Sequence, residues 1–284
     1  MGHRLAGLFQ GRPRLQVGAL LAGPVGWLVI GYLGSLVILL ITAFWSVNAL
    51  SGEVEKGFTG QNFETLLNEP VYREIVWRTV KIAALVTITD ALIAFPIAFY
   101  MAKVASRRGK ALLVIAVLLP LWSSYLVKVY AWRTLLSADG VINWALEPIG
   151  LSGPGYGSTA VWLVMSYLWL PYMILPIYAG LERIPNSLIS ASEDLGASPF
   201  TTFRRVLLPL AFPAVVAGSI FTFSLTLGDY ITPRLVSNDQ FIGTVIASNI
   251  TNNQPFAAAL ALVPIVVMIA YLLVARRLGA FEHV

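Results

Sequence analysis

Ionisable side chains are scarce in the apolar stretches of this chain, so the few that occur there stand out. Asp90 sits inside IAALVTITDALIAFPIAFYM, Asp229 near the end of AFPAVVAGSIFTFSLTLGDYI, and Lys128 inside LWSSYLVKVYAW. A carboxylate beside aromatic ring faces suits an organic cation, because both attract ammonium groups. Asp229, Tyr230, Asp90, Trp122, Ser123, Tyr125 and Trp132 are the candidates for such contacts. The plainer assignments are an ion pair of Asp90 with Lys128 or Lys81, and aromatic residues of an interfacial belt.

Enzyme chemistry finds little to work with. The chain has no cysteine, which excludes disulfides, thiolate metal sites and cysteine nucleophiles. His3 and His283 lie near opposite termini with no ligand-spaced neighbour. Neither His-Glu-x-x-His nor Gly-x-Ser-x-Gly occurs. Gly109-Lys110 is followed by Ala111 and lacks the upstream glycine of a nucleotide-binding loop. The glycine-rich segment LSGPGYG has no strand-to-helix context either. No catalytic residue and no metal site is expected.

The elements that would hold these side chains follow from composition. Hydrophobic residues make up 57% of the 284, and charged residues only 12%, about half the ~25% of a soluble domain. Lipid is the solvent for much of the chain. The net charge of +5 then reflects basic loops rather than a nucleic-acid surface.

Six segments reach the roughly 20 apolar residues needed to cross a bilayer: Val17–Trp45, Ile82–Met101, Ala111–Ala131, Ala160–Ala179, Ala211–Ile231 and Phe256–Ala275. Arg4, Arg12 and Arg14 precede an apolar run from Leu15 to Trp45. That run is about twice the ~7–15 residues of a signal peptide's apolar region, so it reads as a retained first span. Unpartnered backbone amides are intolerable in lipid, so the spans are expected to be helices. With the N-terminus inside, 12 of the 19 basic residues fall on the inner side. Both termini are therefore predicted to be cytoplasmic. On the outside, Ser46–Arg78 reads as polar with a helix near Gln61–Leu67, Leu135–Ser158 as carrying a short surface helix, and Ser237–Pro255 as a polar connection.

One inner segment is too polar to cross and too patterned to be a linker: LERIPNSLISASEDLGASPFTTFRRVLLPLAFP, Leu181–Pro213. Asn186 or Ser187 can cap a helix running to about Leu195. Gly196 permits a bend. Ser198 can cap a second helix opened by Pro199. Two short helices joined at a bend form a knob suited to a groove on another protein, or else a helix lying on lipid phosphates through Arg204 and Arg205.

This knob resembles the signature loop of type I ABC-importer permeases, Glu-Ala-Ala, three residues, Gly, nine residues, Ile, one residue, Leu-Pro. Here Ser190-Ala191-Ser192, Gly196, Val206 and Leu208-Pro209 occupy those steps. Ser190 and Ser192 depart from the pattern, and Ser190 removes the carboxylate. Leu119–Ser124, Lys128–Trp132, Gly140–Asn143, Asp194–Ser198 and Leu227–Pro233 resemble the spermidine/putrescine subgroup, and the likeness covers roughly 78–277.

The resemblance implies an all-α integral membrane protein with six transmembrane helices, and a cytoplasmic coupling helix-turn-helix between spans four and five. It forms a single transmembrane domain over 1–284, with a core of about 78–277 and an extra N-terminal span at 17–45. It further implies ATPase coupling through Ser190, Ala191, Ser192, Glu193, Asp194, Leu195, Gly196, Ala197, Leu208 and Pro209. The implied partners are an ABC ATPase dimer that carries ATP and Mg, a second and different permease, and a periplasmic or lipid-anchored solute-binding protein. Membrane lipid surrounds the assembly, and nucleic acid is not a partner. Polyamine is the first solute. Iron, thiamine, phosphonate or an opine by the same machinery is the alternative, and a stand-alone transporter or channel is the rival from another class.

Overall fold

The structure, a computed structural model, describes residues 13–48 and 51–277. His3, His283, Arg4 and Arg12 lie outside the described residues. Among the described residues the chain is mostly helical. It divides into two compact units, 1–66 with 249–260, and 67–248 with 261–284.

In the first unit, α1 (Pro13–Trp27) continues through a π-helical turn, Leu28–Leu33, into α2 (Gly34–Thr42). Leu20–Thr42 of this run is long and apolar enough to span a bilayer. Leu20, Trp27 and Ile30 are largely exposed, as lipid-facing side chains would be. A two-stranded hairpin follows, β1 (Ser46–Val47) antiparallel to β2 (Val54–Glu55) with Ser46 opposite Glu55. Asn62 of α3 (Gln61–Asn68) donates to the carbonyls of Ala43 at 2.9 Å and Trp45 at 2.7 Å. It thereby satisfies the Ala43 oxygen that the end of α2 leaves unpaired, and holds the turn after it through Trp45.

In the second unit, α4 (Pro70–Phe99) ends in a π-helical turn, Tyr100–Val104. Then come α5 (Arg107–Trp122), α6 (Tyr125–Leu135), α7 (Val141–Leu146), α8 (Ser158–Arg183), α9 (Asn186–Asp194) and α10 (Pro199–Thr202). A second π-helical turn, Phe203–Leu207, leads into α11 (Leu208–Gly228), followed by α12 (Ile231–Val236) and α13 (Ile242–Asn249); α14 (Gln254–Arg277) belongs to the first unit up to Leu260 and to the second from Ala261. Helices α4, α8 and α11 form the centre of this unit. Small residues let them approach. A Cβ on Gly180 of α8 would lie 2.3 Å from the Ala214 Cβ of α11. In lipid such close backbone packing replaces hydrophobic association.

Among the described residues, five helical runs are long and apolar enough to cross a bilayer: Leu20–Thr42, Pro70–Val104, Ser158–Arg183, Pro199–Gly228 and Gln254–Arg277. The expected third span, Ala111–Ala131, is not one straight helix. It breaks between Trp122 and Tyr125, where α5 and α6 meet at 89°. Pro120 has no N–H, and Ser123 and Ser124 are extended. The freed Pro120 carbonyl accepts from Ser123 N at 3.3 Å, Ser123 Oγ at 2.8 Å and Lys128 Nζ at 3.0 Å. The expected fifth span, Ala211–Ile231, likewise stops at Gly228, before Asp229. The connection expected to be merely polar, Ser237–Pro255, holds α13, whose Ile242 and Val245 are buried.

Candidate functional site

The two helix breaks meet through side chains. Asp229 follows the last residue of α11, and its Oδ1 accepts from the N–H groups of Ile231 at 2.9 Å and Thr232 at 3.3 Å. These are donors that the start of α12 leaves unpaired, so Asp229 caps that helix. Its Oδ2 accepts from Thr232 Oγ1 at 2.7 Å and from the phenol of Tyr125, first residue of α6, at 2.5 Å. Tyr125 also lies 2.8 Å from Thr232 Oγ1. The carboxylate is thus saturated with hydrogen bonds yet meets no cation. Among the described residues, ion pairs join Arg78 to Glu74 and Lys110 to Glu182.

An open cavity of about 410 Å³ faces this group, walled by Tyr125, Trp169, Ser224, Leu225, Gly228, Asp229 and Tyr230. Trp169 of α8 stacks on Tyr125, with centroids 6.0 Å apart and planes 15° from parallel. Its indole N–H has no partner among the described residues. The last carbonyls of α11 point to the same end, where a helix carries roughly half a negative charge. At the other break, Lys128 sits on the carbonyl end of α5 and offsets that dipole. Among the described residues, no such lysine sits at the α11 end and no basic residue lines the cavity.

The structure brings Asp229, Tyr230 and Tyr125 together and separates the other candidates from them. Trp122 is 89% exposed at the bend. Ser123 is used in holding the bend. Trp132 packs against Tyr167, with centroids 5.5 Å apart. Asp90 lies away from the cavity, fully buried in α4. Ser166 of α8 stands opposite it, but neither carboxylate oxygen nor the Ser166 hydroxyl completes a hydrogen bond. The ion pair with Lys128 or Lys81 does not form: Lys128 is engaged at Pro120, and Lys81 is exposed. Trp169 escaped the sequence reading because it lies mid-span without a neighbouring charge. The Asp229-x-Ile-Thr-Pro pattern, an acidic residue just ahead of a proline-bearing helix start, was its legible companion.

The second candidate site is the bent segment. α9 begins at Asn186 with Pro185, rather than Asn186 or Ser187, in the cap position. Gly196 N bonds Glu193 O at 2.8 Å, and Ala197 N bonds Ser192 O at 3.1 Å. These are the two closing bonds of a Schellman ending, with Gly196 left-handed at φ +76°. Ser198 accepts from Thr201 N at 3.3 Å and caps α10, with Pro199 at its first position. The Ser192 and Thr202 hydroxyls, 2.9 Å apart, tie the two helices across the bend. At the tip, Leu195 and Phe200 are 89% and 69% exposed. Ser190, Ala191, Glu193 and Asp194 are exposed as well, as is Pro209 beyond the bend, with Leu208 at the margin of exposure.

A family model described as the binding-protein-dependent transport system inner membrane component matches residues 79–281. The chain is 46% identical to the inner membrane ABC transporter permease protein YdcU of Escherichia coli (strain K12), over 98% of this chain and 95% of that protein. It is 34% identical to the spermidine/putrescine transport system permease protein PotB of Haemophilus influenzae (strain ATCC 51907 / DSM 11121 / KW20 / Rd), over 72% and 73% of the two chains. Among solved structures, a bacterial ABC transporter involved in import of the acidic polysaccharide alginate superposes with a TM-score of 0.75. That match covers 94% of this chain and 96% of that one at 18% identity, a likeness of fold alone.

Proposed function

The chain belongs to the family of binding-protein-dependent transport system inner membrane components, and from that premise we propose that this permease subunit of a bacterial ABC importer carries polyamines. It is a multi-pass protein of the bacterial inner membrane. The cargo reading rests on one observation: Asp229, with its charge unneutralised, shares an open cavity with Tyr125, Trp169 and Tyr230 at the carbonyl end of α11. A carboxylate, a helix C-terminus and ring faces all favour ammonium groups. The absence of lysine and arginine from that wall disfavours an anionic solute such as a phosphonate. The name of the PotB relative points the same way.

In this reading both termini and the bent segment face the cytoplasm, and the bent α5–α6 pair counts as the third of six spans. The knob from Ser190 to Ala197 seats in a groove of a separate ATPase, to which Leu195 and Phe200 offer apolar contact. ATP, with Mg, is bound and hydrolysed there. A second, different permease completes the pathway, and a periplasmic binding protein delivers the solute to the outer cavity. Closure of the ATPase pair pushes the knob, and the packed crossing of α8 and α11 carries the push toward the Asp229 cavity.

The test is uptake by proteoliposomes holding the chain with its co-purified ATPase, permease partner and binding protein. Putrescine and spermidine should be accumulated with ATP, whereas thiamine, ferric iron and phosphonates should not. Uptake of one of the latter with no polyamine uptake would overturn the cargo reading.

A further inference from the structure

At the far end of α8 and α11 from the cavity, α4 holds both legs of the knob. Lys103, in the π-helical turn Tyr100–Val104, donates to the Ile184 carbonyl at 2.5 Å and to Asn186 Oδ1 at 3.2 Å. Ile184 closes α8 and Asn186 opens α9, so this lysine binds the outgoing leg at its root. The Ile184 carbonyl is one of the oxygens a helix end leaves without an intrahelical donor. On the returning leg, Phe203 meets Phe95 of α4 edge-on, with centroids 5.4 Å apart and planes at 87°. Between these contacts, Ala98 of α4 and Met101 and Ala102 of the π-helical turn that ends it pack in one apolar cluster with Leu207, and Ile189 of the knob rests against it. Lys110 braces the corner, donating to the Ala102 carbonyl at 2.9 Å and reaching Glu182 at 3.4 Å. A π-helical turn stands on each side of the contact, Tyr100–Val104 and Phe203–Leu207, and such turns concentrate at functional sites.

Covalent continuity joins the knob only to α8 and α11. A push on it reaches α4, the third helix of the central bundle and the carrier of Asp90, through side chains alone. We propose that Lys103 is a positioning residue that fastens the root of the knob to α4, so that displacement by the ATPase moves α4 together with α8 and α11. This rests on reading the bent segment as the ATPase-docking knob. The lysine is suited to the role because one ammonium satisfies a helix-end carbonyl and a side-chain amide oxygen at once, through charge-assisted hydrogen bonds.

The test uses the full importer in proteoliposomes, with Lys103→Met and Lys103→Arg compared for ATP hydrolysed and solute moved. Lys103→Met keeps the length and removes the donors. It should co-purify with the ATPase and hydrolyse ATP, while solute moved per ATP falls about tenfold, equivalent to ~1.4 kcal/mol. Lys103→Arg should restore at least half of the coupling, which a merely space-filling role would not require. Wild-type coupling in Lys103→Met with the ATPase bound would overturn the proposal. Failure of the unmodified chain to hold any ATPase would instead overturn the docking reading beneath it. A second measurement avoids the substitution. The chain lacks cysteine, so spin labels at Val104 and Ser187, both exposed, report only the latch. Their separation should stay constant through the ATP cycle, and a change with ATP would also overturn the proposal.

Discussion

Replacing Asp229 by asparagine separates its two roles, the cap and the charge. The amide oxygen can still accept from Ile231 N and Thr232 N, and asparagine caps about as well as aspartate. The Tyr125 and Thr232 hydroxyls that now donate to Oδ2 can turn to accept from the new NH₂. Folding stability should therefore change by less than about 1 kcal/mol. The charge is lost outright. An ammonium ~5 Å from a carboxylate gains about 3 kcal/mol at an effective dielectric of 20. Water in the open cavity reduces that to roughly 1–2 kcal/mol. KM for a diamine should rise on the order of tenfold in reconstituted uptake, with thermal unfolding in detergent unchanged. Asp229→Ala should raise KM similarly and also lose about 1 kcal/mol of stability with the cap. A normal KM in Asp229→Asn would refute the argument that this carboxylate attracts the solute.

Three further substitutions probe the scaffold by thermal unfolding in detergent. Gly180→Val should destabilise by about 1–3 kcal/mol, because even its Cβ would meet the fixed Ala214 Cβ; a neutral result would mean that α8 and α11 are not closely packed. Lys128→Met should cost about 1 kcal/mol by removing one of three donors on the Pro120 carbonyl; unchanged stability would show that the lysine does not hold the bend. Asp90→Asn should be neutral or stabilising by about 1 kcal/mol, since an amide of the same size brings its own donor to the Ser166 hydroxyl, which neither carboxyl oxygen now engages. Marked destabilisation would point to a partner for Asp90.

The local chemistry of the knob was legible because each step has a residue that demands it: Gly196 for a left-handed turn, Ser198 for a cap, Pro199 for a first helical position. The apolar runs were legible because lipid imposes a length. Hydropathy could not reveal the break at Ser123, because the sequence stays apolar on both sides and the bend is set by Pro120, two serines and a lysine eight residues on. Nor could it show that Asp229 caps α12 while also walling an open cavity. Contacts such as Tyr125 with Asp229, 104 positions apart, belong to tertiary packing and leave no local trace. The same holds for Lys103, which counted in the sequence only as one more inner-side positive charge.

The docking claim is tested most directly by a single cysteine at Leu195, the exposed residue that follows α9, in a chain that has none of its own. In inverted vesicles holding the whole importer, that cysteine should cross-link to the ATPase and be shielded from a membrane-impermeant thiol reagent until the ATPase is stripped away. Labelling from the periplasmic side, or free labelling with the ATPase in place, would contradict the account.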